Sequence, residues 1–282
     1  MPRLLAAAIQ MASTEDKSAN IDTAVRLLDR AGRRGARIAA LPETFNCLGS
    51  PEAMLGNAEP IPGPATEELC HAARRNKMYI VGGSIFEKAA GRRKVYNTSV
   101  LISPEGQVTG IYRKMHLFDA EVPGGPRHKE SDVTLPGDEI VVLETKYCPV
   151  GLSICYDVRF PELYRALADG DARIVFVPAA FTQGTGRDHW ELLLRARAVE
   201  NQVFVVAPNQ FGEHPGGKRS YGRSMIVDPW GTVLAQAPDA ECVVLAELNL
   251  ALLDAVRERM PVHEHRRSDI FGPREEGDEN LG

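Results

Sequence analysis

The sequence is short of cysteine and holds no Cys-x-x-Cys pair. Its five cysteines, Cys47, Cys70, Cys148, Cys155 and Cys242, are odd in number and widely spaced. That pattern argues against a disulfide framework and a zinc ribbon, and for a reducing, cytoplasmic setting. Runs of 18 apolar residues are also missing, so no helical membrane span is expected. The apolar start at residues 4–9 stops at Gln10, which suits a first strand better than a signal peptide. Blocks of basic residues are absent. The net charge is −5 and Lys and Arg are scattered, apart from pairs such as Arg33-Arg34 and Arg92-Arg93, so no nucleic acid partner is expected. There is no His-Glu-x-x-His, no Gly-x-Ser-x-Gly and no Walker-type loop. What remains is 44% hydrophobic and 25% charged, an ordinary globular balance.

Helical and strand patterns alternate along the chain. Residues 18–33 carry Ile21, Ala24, Val25, Leu27, Leu28 and Ala31 at helical spacing, and residues 66–77 form a second amphipathic stretch. Apolar runs at 4–9, 37–41 and 79–85 read as strands, the last with Gly82-Gly83 inside it. Residues 95–102 and 108–112 flank Ser103-Pro104-Glu105-Gly106, a hairpin turn. The second half repeats the rhythm. It has strands at 150–154, 174–177 and 203–207, and helices at 161–169 and 190–201. A second hairpin turns at Asp228-Pro229-Trp230-Gly231, and a closing strand covers 242–248. Hairpins within an alternating α/β pattern imply mixed rather than purely parallel sheets. Two similar halves imply two sheets packed together with helices outside. One domain over residues 1–272 is expected, followed by a polar tail at 273–282, loose or packed on a partner subunit.

Three apolar runs end on a reactive side chain: Ala39-Ala40-Leu41-Pro42-Glu43, Gly110-Ile111-Tyr112-Arg113-Lys114 and Val150-Gly151-Leu152-Ser153-Ile154-Cys155. Strand ends are where crevices open in α/β sheets, so the three could converge. A thiol between a buried strand and a helix start, with a Lys nearby, is a candidate nucleophile, and a half-buried Glu a candidate base. The developing oxyanion of acyl transfer needs a cation and backbone N–H donors. For each residue alone, a structural thiol, a surface Glu or a solvated Lys stays open as the alternative. Cys47, four residues after Glu43, is the second thiol candidate. His116 and His189 are the possible histidine partners of a Cys-His design, against a purely structural role.

The segments Leu41-Pro42-Glu43, Tyr112-Arg113-Lys114-Met115-His116-Leu117 and Gly151-Leu152-Ser153-Ile154-Cys155-Tyr156-Asp157, in this order, resemble the nitrilase superfamily of carbon–nitrogen hydrolases. The resemblance runs from about Leu4 to Gly272. It implies a four-layer α-β-β-α sandwich with two mixed sheets face to face. It assigns Glu43 as base, Lys114 as stabiliser of the tetrahedral intermediate, Cys155 as nucleophile and the Tyr156 backbone N–H as second oxyanion donor. A second Glu is implied as well, with Glu130 preferred to Glu121. Arg159-Phe160-Pro161-Glu162-Leu163, the stretch from His189 to Ala198, and the stretch from Ser224 to Gly231 resemble the Nit branch, which holds deaminated glutathione amidases and omega-amidases. The Lys218-Arg219-Ser220-Tyr221-Gly222 loop is more like the former, and His116-Leu117-Phe118-Asp119 is shared with the latter.

The implied reaction opens a terminal amide of a small carboxylate-bearing substrate to acid plus ammonia, through a Cys thioester. Deaminated glutathione is the expected substrate. The alternatives are 2-oxoglutaramate, an N-carbamoyl or aliphatic amide, and, outside enzymes, a catalytically silent scaffold. No cofactor or metal is needed, and the partners are substrate, water and a second copy in a homodimer. Arg159, Phe181 and Thr182 are the expected substrate contacts, with Arg187 and Arg219 as other possible carboxylate binders and an Arg159–Glu162 salt bridge as the structural alternative.

Overall fold

The computed structural model describes residues 4–121 and 127–271; the expected tail at 273–282 lies outside them. In the first half, β1 (Leu4–Gln10) is followed by α1 (Lys17–Arg33), β2 (Ile38–Ala40), α2 (Pro51–Gly56), α3 (Pro64–Asn76), β3 (Tyr79–Val81), β4 (Ile85–Lys88), β5 (Val95–Ile102) and β6 (Val108–Arg113). The short strands β7 (Asp119–Glu121), β8 (Arg127–Lys129), β9 (Thr134–Leu135) and β10 (Val142–Leu143) bridge to β11 (Val150–Leu152), α4 (Pro161–Asp169), β12 (Ile174–Phe176), α5 (Gln183–Asn201) and β13 (Phe204–Ala207). Then come β14 (Phe211–His214), β15 (Lys218–Tyr221), β16 (Met225–Val227), β17 (Val233–Gln236), β18 (Cys242–Leu248), α6 (Leu250–Arg259) and α7 (Ser268–Phe271).

The strands form two mixed sheets. One has the order β18-β1-β2-β3-β5-β4, with β6 and β9 also paired to β5; the other runs β10-β11-β12-β13-β16-β17. Each is built on three parallel neighbours, β1-β2-β3 and β11-β12-β13, with antiparallel strands at the flanks. The period-2 alternation of β1 shows how the layers arise. Ala6 and Ala8 point into a core shared with Val150, Leu152, Ile174 and Val206 of the other sheet. Ala7 and Ile9 point the other way, onto Leu27, Leu28 and Ala31 of α1 and Leu69 and Ala72 of α3. Beyond the second sheet, Leu163, Tyr164 and Leu167 of α4 and Trp190, Leu194 and Ala198 of α5 close the shared core. The result is the expected α-β-β-α sandwich.

Three expectations need correction. The strand expected at 79–85 is broken, because the backbone turns at Gly82-Gly83. Gly83 has φ +53°, and a Cβ there would lie 2.1 Å from the Pro42 carbonyl oxygen. The helix expected at 190–201 starts at Gln183. Its first turns hold Gly184 and Gly186 and no apolar period, and a Cβ at Gly186 would lie 2.3 Å from Tyr221. The strand at 242–248 does not close the second sheet. It pairs with β1 in seven antiparallel steps, from Leu4 opposite Leu248 to Gln10 opposite Cys242. Among the described residues no helix is long and apolar enough to cross a membrane.

Candidate active site

Glu43, Lys114 and Cys155 are brought together by three different connections. Glu43 follows β2, and the break after β3 fixes it there. The Ser84 N–H donates to Pro42 O (3.3 Å), Ser84 Oγ accepts the Thr44 N–H (3.0 Å), and the Phe45 N–H donates to Ser84 O (3.2 Å). Lys114 follows β6, and its N–H donates to Asn97 O on β5 (2.8 Å). Cys155 opens a tight turn after β11 with φ +49°, a left-handed conformation that costs a non-glycine residue on the order of 1 kcal/mol and marks functional turns. Its N–H is spent on Pro178 O (2.8 Å).

The side chains form one buried polar cluster. Lys114 Nζ donates to Glu43 Oε1 (2.9 Å) and Glu130 Oε2 (2.8 Å), and only 2% of its side chain is exposed. Asn97 Nδ2 bridges the same two carboxylates, donating to Glu43 Oε1 (2.9 Å) and Glu130 Oε1 (3.2 Å). The Ala180 N–H donates to Glu43 Oε2 (2.9 Å) and the Phe118 N–H to Glu130 Oε2 (2.7 Å). Burial alone would lower the Lys114 pKa, but the charges of Glu130 and Glu43 outweigh it and hold it well above the ordinary lysine range. The ammonium is therefore permanent at neutral pH.

The thiol behaves oppositely. Burial first, then the charge of Glu43 and a hydrogen bond to it, push Cys155 well above its ordinary value, with Lys114 opposing. That direction favours a neutral thiol over a preformed thiolate. An acid whose pKa is raised keeps its proton as pH climbs through the ordinary thiol range near ~8.5. Ultraviolet thiolate absorbance, taken as wild type minus Cys155→Ala, is accordingly expected to be absent at about pH 8 and to appear only at more alkaline pH. Full thiolate signal at neutral pH would remove the need for Glu43 as a base.

A second buried network holds the cluster in register. Asp157, fully buried, accepts from Tyr112 Oη (2.6 Å) and the Ile154 N–H (2.8 Å) through one oxygen, and from the His116 N–H (3.0 Å) through the other, which also lies 2.8 Å from His116 Nδ1. It thereby fastens the Tyr112 side chain and the His116 backbone, on either side of Lys114, to the turn that carries Cys155. His116 stacks on Phe160 at 3.6 Å. His189 lies 3.4 Å from the Arg159 guanidinium. Both histidines are thus engaged away from the thiol. Cys47 is buried beside Asn57 and Glu15, away from the Glu43–Lys114 contact.

Cys155 lines two spaces. One is a cavity of about 310 Å³ that also touches Glu43, Asn97, Lys114 and Glu130; the other is a cleft of about 30 Å³ bordered by Tyr156, Arg159, Phe181 and Thr182. The structure brings Glu130 to Lys114, whereas Glu121 sits exposed on β7. The Arg159 guanidinium lies over the rings of Phe181 (5.3 Å) and Tyr156 (5.9 Å) rather than against Glu162. Arg187 is exposed and pairs with Asp188, and Arg219 is exposed on β15. Sequence reasoning missed Asn97, Tyr112 and Asp157 as parts of this site, and His128 and Lys218 as walls of the larger cavity. Among the described residues no group of three or more His, Cys, Asp or Glu side chains is placed to hold a metal ion.

A family model described as carbon-nitrogen hydrolase matches residues 5–258. A deaminated glutathione amidase of Synechocystis is 44% identical over 270 residues, 94% of this chain and 99% of that one. An omega-amidase of Xenopus tropicalis is 40% identical over 267 residues, 95% and 96% of the two chains. The crystal structure of the C. elegans NitFhit protein superposes with a TM-score of 0.89 at 38% identity, over 95% of this chain and 66% of that longer one. The chain belongs to the carbon–nitrogen hydrolase family.

Proposed function

We propose that the protein is an amidase that cleaves the amide of a small carboxylate-bearing substrate through a thioester on Cys155. The observation that carries this reading is the convergence of Cys155, Glu43 and Lys114 on one cavity, with Lys114 Nζ donating to Glu43 Oε1 (2.9 Å). Glu43 takes the thiol proton as sulfur attacks the amide carbon, and negative charge gathers on the carbonyl oxygen. Lys114 and the Tyr156 N–H hold that oxyanion, because the Cys155 N–H is already committed. Glu43 passes its proton to the nitrogen, the C–N bond breaks and the amine leaves. It then takes a proton from water, hydroxide adds to the thioester carbon, and the C–S bond breaks as the proton returns to sulfur. In this scheme Glu130 keeps Lys114 between two carboxylates, so the cation does not follow Glu43 when that group protonates. Arg159, Phe181 and Thr182 border the narrow cleft at the thiol and contact the substrate there.

Deaminated glutathione is the substrate favoured here, and 2-oxoglutaramate is the second reading; relatives named for each activity match at similar identity. The sequence-based expectation of ammonia as product suits only the second. In deaminated glutathione the scissile nitrogen belongs to the Cys-Gly dipeptide, which leaves as the amine. Both reactions release 2-oxoglutarate, so that acid is the common readout. Higher kcat/KM for deaminated glutathione is expected when its release is followed with both substrates in parallel. The opposite preference would reassign the substrate, and turnover of neither would sink the amidase reading. A homodimer in the cytoplasm belongs to the same proposal, on the strength of the family resemblance.

A further inference from the structure

The larger cavity carries a charge that this chemistry does not use. Lys218 opens β15, directly after a turn in which Gly216 (φ +76°) and Gly217 (φ +73°) both adopt left-handed backbone. The β14–β15 hairpin is pinned on both sides of that turn. Buried His214 places Nδ1 2.9 Å from Ser13 O and Nε2 2.9 Å from Ser220 Oγ, and the Tyr221 N–H donates to Phe181 O (2.8 Å). Lys218 is therefore delivered to the cavity wall by fixed backbone rather than by a free loop.

Its ammonium is half-buried and donates to Gly49 O (2.6 Å). A neutral carbonyl satisfies one of three donors and none of the charge. Among the described residues Lys218 forms no ion pair. Glu15 is the carboxylate whose charge it feels, and that group accepts the Ser50 N–H (2.7 Å) instead. The other titratable groups that feel Lys218 are His128 and His214, which burial depresses first and the Lys218 charge further. The cavity thus has two carboxylates and an ammonium beside the thiol, and three further cations on its wall: exposed Arg127, Lys129, which pairs with Asp132 (2.9 Å), and half-buried Lys218, which forms no ion pair among the described residues. Leu48, Met54, Phe86 and Val133 supply apolar wall to the same cavity, a surface suited to a short methylene chain.

Resting on the amidase reading above, we propose that Lys218 is the anchor for a carboxylate at the far end of the substrate's acyl group. Such an amide places its carbonyl carbon at Cys155, its methylenes along the apolar wall and its carboxylate on the Lys218 ammonium. Both substrates considered above share an acyl group of this kind. Lys218 then selects the substrate and takes no part in bond making.

The test compares glutaramate with pentanamide, which carries a methyl group where glutaramate carries its carboxylate. The wild-type preference for glutaramate, as a ratio of kcat/KM by ammonia release, is expected to fall by about tenfold or more in Lys218→Met. The loss should lie in KM for glutaramate, and Lys218→Arg should restore most of the ratio. If Lys218 only ties down the Gly49 loop, Lys218→Met will slow both amides alike. An unchanged ratio therefore overturns the proposal. Failure of the wild type to open either amide would instead count against the amidase reading.

Discussion

Replacing Lys114 with Met is expected to reduce kcat by about 10³-fold or more, by removing the cation proposed to face the oxyanion, and to destabilise the fold at the same time. The ammonium is 2% exposed and touches two carboxylates. Its loss leaves Glu43 and Glu130 joined only through Asn97. Breaking a buried ion pair in this manner costs roughly 3–5 kcal/mol. Both effects are measurable on one preparation, by steady-state kinetics and by the midpoint of denaturant unfolding. A variant that kept kcat within about tenfold of wild type would rule out the electrostatic role.

Cys155→Ala separates chemistry from folding. Hydrolysis is expected to fall by about 10⁴-fold or more, because no sulfur is left to carry the acyl group. Stability should change by only about 1 kcal/mol, since a small thiol is exchanged for a methyl group and every hydrogen bond of the Glu43–Lys114–Glu130 cluster remains. Mass spectrometry of the quenched wild type during turnover should find an acyl adduct that the variant lacks. Residual turnover close to wild type in the variant would mean that water attacks directly, and the thioester would have to be abandoned.

These two residues, with Glu43, were legible in the sequence because each ends an apolar run, and strand ends are where a sheet opens to solvent. The rest of the site is written in a different manner. Asn97 sits inside β5, which reads as a buried strand, and the clue was the polar trio Asn97-Thr98-Ser99 in its middle. Such a trio costs desolvation unless each member has a partner. Asn97 Nδ2 bonds the two carboxylates and Thr98 bonds Glu87 (2.7 Å), whereas Ser99 Oγ has no hydrogen-bond partner among the described residues. Asp157 and Tyr112 lie in conspicuous motifs, yet their pairing spans 45 positions and no local pattern encodes it. Lys218 sits in a stretch that reads as a polar loop. Only the left-handed glycines before it and the buried His214 behind it turn that stretch into a wall of the cavity.

The hairpins and the main helices were equally readable, since turn chemistry and a 3.6-residue period are local. The break at Gly82-Gly83 was not, because what forbids a side chain there is the carbonyl of Pro42, some forty positions earlier. That contact also connects fold to function: the residue held by the kink is the neighbour of Glu43.

The pairing of β1 with β18 bears on how the chain acquires its shape. During synthesis β1 precedes its outer partner by more than two hundred residues. Until then the first sheet presents a seven-residue edge of unpaired N–H and C=O groups, flanked by the alanines and leucines of its core faces. Loop closure over that distance is slow, and an open apolar edge invites pairing with other chains. The seam that completes the first sheet is thus also the step that withdraws this edge from aggregation.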